Sequence, residues 1–244
     1  MSDSYKVKEL GAAGGGSSFA RYRALVHGDI AIWRVMRNEL LALLLLNLPG
    51  APGLLLRQWL YPSMFRQCGP KVVFGRGVTV RHAHKISLGR GCIVDDHALL
   101  DAKGSSNAGI VIGDEVYIGR HTSVYCKNGD ITLGDRCNLS AHCTVFSSNR
   151  LTVGPGCMVG AYGYLLSGGE YDPADATPFA AQSGTCTQGP LEIGADCWLG
   201  ARVTVLDAAA IGERCVVGAG AVVTRPLPTR SLAVGVPARV VRQL

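Results

Sequence analysis

Three of the six histidines occupy the same place in a repeating pattern. His97, His121 and His142 each come three residues after an aliphatic residue, and aliphatic residues recur at every sixth position through most of the chain. Imidazole exchanges protons near neutral pH, so a histidine beside a substrate can act as a general base. We expect the three side chains to stack on one outer wall, in a column that continues as Tyr162 and Arg202.

The elements that position this column are predicted by the six-residue period itself. Three hexads that close into a triangular coil of about 18 residues would stack each aliphatic residue on its equivalent in the next coil. The register slips between Val124 and Leu133 and between Val145 and Val153, and longer excursions follow Leu100 and Leu165, which is typical of loops that leave a corner. The pattern therefore predicts an all-β fold, a parallel β-helix of about seven coils. The period is strict at the following positions: Ile193, Leu199, Val205, Ile211, Val217 and Val223.

Five of the nine cysteines share one inward position of the hexad. A small residue comes four positions after each aliphatic residue, and in this register we expect a buried ladder of reduced thiols. No CxxC pair accompanies these cysteines, so we predict no metal site. The five are Cys92, Cys137, Cys157, Cys197 and Cys215.

Composition and periodicity divide the chain into four parts. Residues 1–20 are rich in Gly and Ser and are predicted to form a flexible tail. Residues 21–70 show a helical apolar pattern that is broken at a Pro/Gly cluster, which indicates a helical hairpin. We expect the β-helix over residues 71–226, with a long loop at 166–192, and a C-terminal tail over 227–244.

Two interpretations of the helical hairpin remain open. It could pack against the first coil and cover an open sheet edge, or it could lie in a membrane interface with Trp33 and Trp59 at headgroup level. The longest apolar run, residues 40–48, is too short to cross a bilayer.

The net charge of +6 is scattered along the chain, which does not favour a nucleic-acid partner. We expect a cytoplasmic protein, with peripheral contact to the inner membrane face as an option.

The C-terminal third carries a specific signature. It reads IGADCWLGARV at residues 193–203, VGAGAVVTRP at 217–226 and GVPARVVR at 235–242. This segment resembles the hexapeptide-repeat acyltransferases, most closely their maltose, galactoside and polysaccharide O-acetyltransferase branch. The resemblance implies a left-handed β-helix, a homotrimer with active sites in the grooves between subunits, and acetyl-CoA as the acyl donor.

The resemblance also assigns residues that contact coenzyme A. Small residues at Ala201 and Ala219 would let the pantetheine arm approach the backbone. Thr224, Arg225 and Arg242 complete the set, and the two arginines would meet phosphate groups.

The catalytic residue departs from the family pattern. Relatives carry a general-base histidine in the long loop, where this chain has Glu170 or Tyr171, depending on the alignment. His142 coincides with a position where galactoside-type relatives have an active-site Asn. We therefore expect His142 to take the proton of an acceptor hydroxyl as it attacks the thioester, with Glu170 or Asp172 orienting the imidazole.

Three functions compete on this evidence. The first is O-acetylation of a sugar or polysaccharide-precursor hydroxyl, with a small or lipid-linked acceptor. The second is a catalytically silent β-helix that only binds a partner, which the missing loop histidine would favour. The third is a zinc hydrase of the γ-carbonic anhydrase kind, which needs three convergent imidazoles, whereas the three candidates here lie on three coils.

Overall fold

A computed structural model of the chain describes residues 17–169, 171–182, 184 and 186–244. Within these residues the chain forms three short helices, a stack of triangular coils and a C-terminal hairpin. The coils wind into a parallel β-helix, as the six-residue period predicts, and it is left-handed, as the family resemblance implies.

Each of seven coils in the described residues contributes three short strands. Coil 1 contains β1 (Gln67–Cys68), β2 (Val73–Phe74) and β3 (Thr79–Arg81), and coil 2 contains β4 (Ile86–Leu88), β5 (Ile93–Val94) and β6 (Leu99–Asp101). Coil 3 has β7 (Ile110–Ile112), β8 (Tyr117–Ile118) and β9 (Ser123–Cys126); coil 4 has β10 (Asp130–Leu133), β11 (Asn138–Leu139) and β12 (Thr144–Ser147). Coil 5 has β13 (Arg150–Val153), β14 (Met158–Val159) and β15 (Tyr164–Ser167); coil 6 has β16 (Leu191–Ile193), β17 (Trp198–Leu199) and β18 (Thr204–Val205). Coil 7 has β19 (Ala210–Ile211), β20 (Val216–Val217) and β21 (Val222–Val223).

Equivalent strands pair in register from coil to coil. The first strands of the coils form the first sheet, the second strands the second sheet and the third strands the third sheet. The hexad aliphatics point inward, and most of them are completely buried, as Leu100, Leu139 and Leu165 are. This stacking of identical positions explains why the six-residue period predicts the core.

The corner between the first and second sheets holds the cysteine ladder. All five predicted thiols are buried. Four donate a hydrogen bond to a carbonyl of the next coil, for example Cys92 to Gly113 at 3.0 Å and Cys157 to Gly194 at 3.0 Å, and Cys215 donates to Pro228, which follows the last coil. Burial raises the pKa of the Cys92 thiol. The expected structural role is confirmed.

The helical segment differs from the predicted hairpin. It contains three helices, α1 (Ser18–Val26), α2 (Ile32–Leu45) and α3 (Gly50–Leu60), followed by a 3-10 turn at Tyr61–Met64. Helix α1 begins inside the predicted tail, because Ser17 caps it by accepting the Ala20 N–H at 3.2 Å. Gly28, at φ +70°, ends the α1 turn with a left-handed conformation that the sequence pattern did not reveal. Residues 1–16 of the predicted tail lie outside the described residues.

Helices α2 and α3 pack against coil 1, which was the first of the two interpretations. Arg57 is buried and donates to the carbonyls of Leu45, Leu48 and Phe74 at 2.9, 2.8 and 3.0 Å. Phe65 stacks on Phe74 with ring centroids 5.4 Å apart. The described part of the chain has no helix that is both long and apolar enough to span a bilayer.

The strands begin earlier and end later in the chain than the sequence predicts. Its first strand already forms at Gln67–Cys68, before the expected start at residue 71. The predicted tail 227–244 instead forms β22 (Ser231–Val234) and β23 (Arg239–Gln243), which extend the second sheet and pair antiparallel with each other. The hexad period ends before this hairpin, so periodicity could not predict it.

Candidate functional site

Two corners of the coil comprise four residues in all seven described coils. The one that joins the second sheet to the third we call the stacked corner. The third of the four residues adopts positive φ, for example 59° at His97, 57° at His121 and 59° at His142. The residues of the stacked corner are 75–78, 95–98, 119–122, 140–143, 160–163, 200–203 and 218–221.

The positive-φ residues of the stacked corner form a continuous pile of rings. His97 and His121 stack with centroids 5.1 Å apart and planes 7° apart, and His121 and His142 at 5.0 Å and 12°. His142 stacks on Tyr162 at 4.9 Å and 5°, and the Arg202 guanidinium lies 5.6 Å from the Tyr162 ring. The predicted column is confirmed.

The backbone holds this pile in place. Each stacked residue donates its N–H to a carbonyl of the preceding coil, as His142 does to Arg120 at 2.9 Å and Tyr162 to Ala141 at 3.1 Å. Both rings are exposed to solvent. A neutral imidazole in this setting has one ring nitrogen with a lone pair, so it can accept a proton from a ligand that binds along the corner.

A column of small residues runs beside the rings from coil 4 to coil 7. The residue before each stacked position is Ala141, Ala161, Ala201 or Ala219, whereas coils 2 and 3 have Asp96 and Arg120 there. The small side chains leave the backbone of coils 4 to 7 open to a ligand at this corner. Two of the predicted coenzyme A positions, Ala201 and Ala219, therefore adjoin the histidine column on one surface.

The other predicted coenzyme A positions lie elsewhere in the protomer. Thr224 and Arg225 follow β21 at a different corner, and Arg242 lies on β23, where it pairs with Leu232 at the edge of the second sheet. All three are exposed. Within one chain, the five predicted coenzyme A positions therefore do not form a single cluster.

The corner that joins the third sheet to the first sheet of the next coil is irregular, and we call it the loop corner. Its connections, residues 82–85, 102–109, 127–129, 148–149, 168–190 and 206–209, vary in length. Every register slip and excursion predicted from the sequence occurs here. The long loop spans 168–190, within the predicted 166–192.

Asp207 holds both stems of the long loop. Its buried carboxylate accepts the N–H groups of Gly168 and Gln188 and lies 3.2 Å from the Thr187 hydroxyl. Asn149 donates to the same hydroxyl at 3.0 Å. The sequence analysis did not identify Asp207. The available signal was its position: it lies in the loop-corner connection one coil after the long loop, where a carboxylate can accept the N–H groups of that loop.

The predicted catalytic loop residues have other partners within the protomer. Asp172 accepts the Ala174 N–H at 2.9 Å, and its backbone N–H donates to Gln182 at 2.9 Å. The Tyr171 ring contacts Phe179 edge-on at 6.0 Å. Glu170 lies outside the described residues.

His142 and the long loop lie at opposite ends of the strands that form the third sheet. The four residues of β12 separate the stacked corner from the loop corner, about 13 Å at the usual rise of a strand. In the described residues Asp172 bonds to Ala174 and Gln182 of its own loop, and its role beside His142 stays a prediction. Sequence register places both residues on successive coils but does not show that they leave opposite corners.

Stacked rings do not form a metal site. Metal coordination requires ring nitrogens that converge in the planes of the imidazoles, whereas these rings lie face to face. Over the described residues, no group of three or more His, Cys, Asp or Glu side chains could hold a metal ion.

Comparisons with known proteins agree with this architecture. Residues 190–225 match the family model of the bacterial transferase hexapeptide, six repeats. A Mycobacterium tuberculosis protein named as a probable acetyltransferase, Rv3034c, is 28% identical over 198 residues, which cover 81% of this chain and 60% of that protein. A Staphylococcus aureus (strain COL) protein that carries an acetyltransferase name, SACOL2570, is 52% identical over 56 residues, or 23% of this chain and 28% of that protein.

A solved structure shows the same fold. A mutant of AntD, an N-acyltransferase from Bacillus cereus, in complex with dTDP-4-amino-4,6-dideoxyglucose and coenzyme A, superposes with a TM-score of 0.52 at 19% identity, covering 73% of this chain and 83% of that chain. The chain spans only part of the curated relatives it matches. Hexapeptide repeats are matched over residues 190–225, and the resemblance of the chain to the hexapeptide-repeat acyltransferases is confirmed.

Proposed function

We propose that the protein transfers an acetyl group from acetyl-CoA directly to a hydroxyl of a sugar or polysaccharide precursor. The observation that carries the proposal is the stacked corner, where an exposed imidazole adjoins a column of small residues that leaves the backbone accessible. The acetyltransferase names of the relatives and the coenzyme A bound to AntD support the same chemistry.

His142 provides the acid-base step. Its unprotonated ring nitrogen takes the proton of the acceptor hydroxyl while the hydroxyl oxygen attacks the thioester carbonyl. The tetrahedral intermediate then collapses, the carbon–sulfur bond breaks, and the imidazolium returns the proton to the leaving thiolate. Backbone N–H groups of the corner are suited to stabilise the oxyanion, and the Arg225 and Arg242 guanidiniums to meet the phosphates of the donor.

A homotrimer would reconcile the positions of His142 and the long loop. Because they leave different ends of the third-sheet strands, a trimer would place the loop of one subunit beside the stacked corner of its neighbour. In this arrangement Asp172 or Glu170 of one chain orients His142 of another, and the acceptor is enclosed between two subunits.

The experiment follows thiol release from acetyl-CoA over a panel of hexoses, amino sugars and nucleotide sugars. Ala219→Leu places a larger side chain in the small-residue column and should raise KM for acetyl-CoA at least tenfold. Ala195→Leu makes the same change at the equivalent register of another corner and should leave KM unchanged. A protein that neither binds coenzyme A nor releases thiol with any acceptor would be a silent binding protein instead.

We also propose that the helical segment rests on an anionic membrane surface, at the inner face of the cytoplasmic membrane. The Trp33 ring is flanked by the guanidiniums of Arg34 and Arg37, each 5.5 Å from its centroid, while Leu43 and Trp59 are 82% and 77% exposed. Exposed aromatic and aliphatic side chains beside arginines suit an interface between acyl chains and anionic headgroups.

Vesicle co-sedimentation tests this contact. Wild type should bind vesicles that contain phosphatidylglycerol and not pure phosphatidylcholine, and Trp33→Ser should reduce binding several-fold. Trp198→Ser removes a tryptophan of similar exposure from coil 6 and is the matched control. Equal binding by the two variants, or concentration-dependent self-association through Trp33, would contradict a membrane role.

A further inference from the structure

A cavity with several basic residues in its walls lies away from the stacked corner. It measures about 540 Å³ and opens between helix α1 and the loop corner of coils 1 and 2. Its walls include Arg23, His82, His84, Lys85 and Lys103. None of these residues takes part in the acyl transfer proposed above.

Basic groups outnumber acidic ones in this cavity. Arg23 pairs with the fully exposed Asp29 at 2.7 Å, at the rim. Behind the cavity wall, Asp101 is buried and bonded to the His82 ring at 3.0 Å. Lys85 and Lys103 also line the cavity, which leaves a net positive lining.

The basic side chains keep donors for a ligand. Two of the three N–H groups of Lys85 are used, toward the Gly104 carbonyl at 2.7 Å and the Asn107 side-chain oxygen at 2.9 Å, and both acceptors are neutral. On Arg23, both recorded bonds come from Nη2, one to Asp29 and one to the Ile30 carbonyl at 2.8 Å. Its other nitrogens retain the planar set of donors that suits a phosphate.

On both lysines, burial disfavours the charged form more than the nearby carboxylates of Asp101 and Asp130 favour it. Burial lowers the pKa of both Lys85 and Lys103. Burial first, and then nearby His82, Lys85, Arg66 and Arg34, lowers the pKa of His84 to about 4. A bound anion would relieve each of these shifts, because it favours the charged form of every group.

The geometry points to a binding site for a phosphorylated small molecule in this cavity, with its phosphate held by Arg23, Lys85 and Lys103. The volume exceeds what a phosphate alone requires, so an attached sugar or glycerol moiety also fits. The cavity is not positioned to deliver this ligand to His142 of the same chain, since it opens at the loop corner. The site thus goes beyond the proposed acyl transfer and does not depend on it.

Isothermal titration calorimetry of the full chain with inorganic pyrophosphate and with glucose 1-phosphate tests the site. We expect saturable 1:1 binding, at least tenfold weaker in Lys85→Gln/Lys103→Gln. Lys103→Arg keeps the charge and should bind as wild type does. Lys71→Gln removes an exposed lysine at another corner and should have no effect. Thermal melting identifies any variant that fails to fold.

The outcomes separate the sources of the phosphate and can overturn the site. Binding of glucose 1-phosphate supports a soluble ligand, and binding only to phosphatidic acid vesicles, abolished by the double substitution, supports a lipid headgroup. Unchanged pyrophosphate affinity in the folded double variant, or the same loss in Lys71→Gln, would overturn the assignment. None of these readouts requires acetyl-CoA, so failure of the acyl-transfer proposal is detected separately.

Discussion

The stacked corner and the loop corner belong to the same coils but differ in what determines them. The stacked corner has four residues in each described coil, and its side chains repeat at a spacing of about 5 Å, as the ring centroids do. The loop corner varies from coil to coil, and its contacts come from segments that do not repeat, such as α1 and residues 168–190. Repetition yields an ordered row of side chains, whereas enclosed sites form where the repeat is interrupted.

The histidines illustrate the difference. His97, His121 and His142 are exposed and lie in one pile, whereas His82 is buried against Asp101 and His84 is half-buried. The stacked histidines are suited to react with a ligand that passes along the surface. The loop-corner histidines line a cavity beside helix α1 instead.

The largest effect is expected at His142. His142→Ala removes the proposed base and should lower kcat by about 10²-fold or more, because general-base catalysis contributes that much. His97→Ala and His121→Ala create the same backbone strain at equivalent positions, so they control for folding. Thiol release from acetyl-CoA measures all three, and equal losses would mean that the pile acts only structurally.

Asp207→Asn tests how the loop corner holds its long loop. Asparagine keeps the shape but presents an N–H where the carboxylate accepts from Gly168 or Gln188, which should cost about 2 kcal/mol locally. Hydrogen exchange in residues 168–190 should accelerate. Asp135→Asn, which affects a single exposed bond to the Asp114 N–H at 2.8 Å, should leave that segment unchanged.

The His84 environment predicts a pH dependence. Its pKa is about 4 in the folded chain, against 6.5 for an ordinary histidine, so the unfolded chain binds more protons between these values. Stability therefore falls as pH drops from 6.5 to 4, by ~1 kcal/mol once solvent screening is allowed for. Urea unfolding of wild type and His84→Gln should show a smaller pH slope in the variant; parallel slopes would contradict this source.

The smallest effect concerns the backbone of the stacked corner. His121 adopts φ 57°, a conformation that asparagine tolerates and a β-branched residue does not. His121→Val should lower the free energy of unfolding by about 1 kcal/mol more than His121→Asn. If the two variants were equally stable, the corner would not impose its geometry on the side chain.

The six-residue period predicted the parts of the structure that repeat from coil to coil, and no other parts. The aliphatic core, the thiol ladder and the pile that runs from His97 to Arg202 follow from one register, because identical positions stack. The αL turn at Gly28, the cavity beside His84 and the clamp at Asp207 depend on contacts between segments far apart in sequence. The β22–β23 hairpin lies beyond the last hexad and was likewise not predictable from the period.

The thiol ladder also provides a way to follow the opening of this molecule. Cys92, Cys137, Cys157, Cys197 and Cys215 place one shielded sulfur in each of coils 2, 4, 5, 6 and 7. A thiol reagent can reach each of them only when its own coil separates from the next. Because stacked repeats contact only their neighbours, the order in which these five sulfurs become modified records whether the β-helix frays from its helical end, from its C-terminal hairpin, or from the middle.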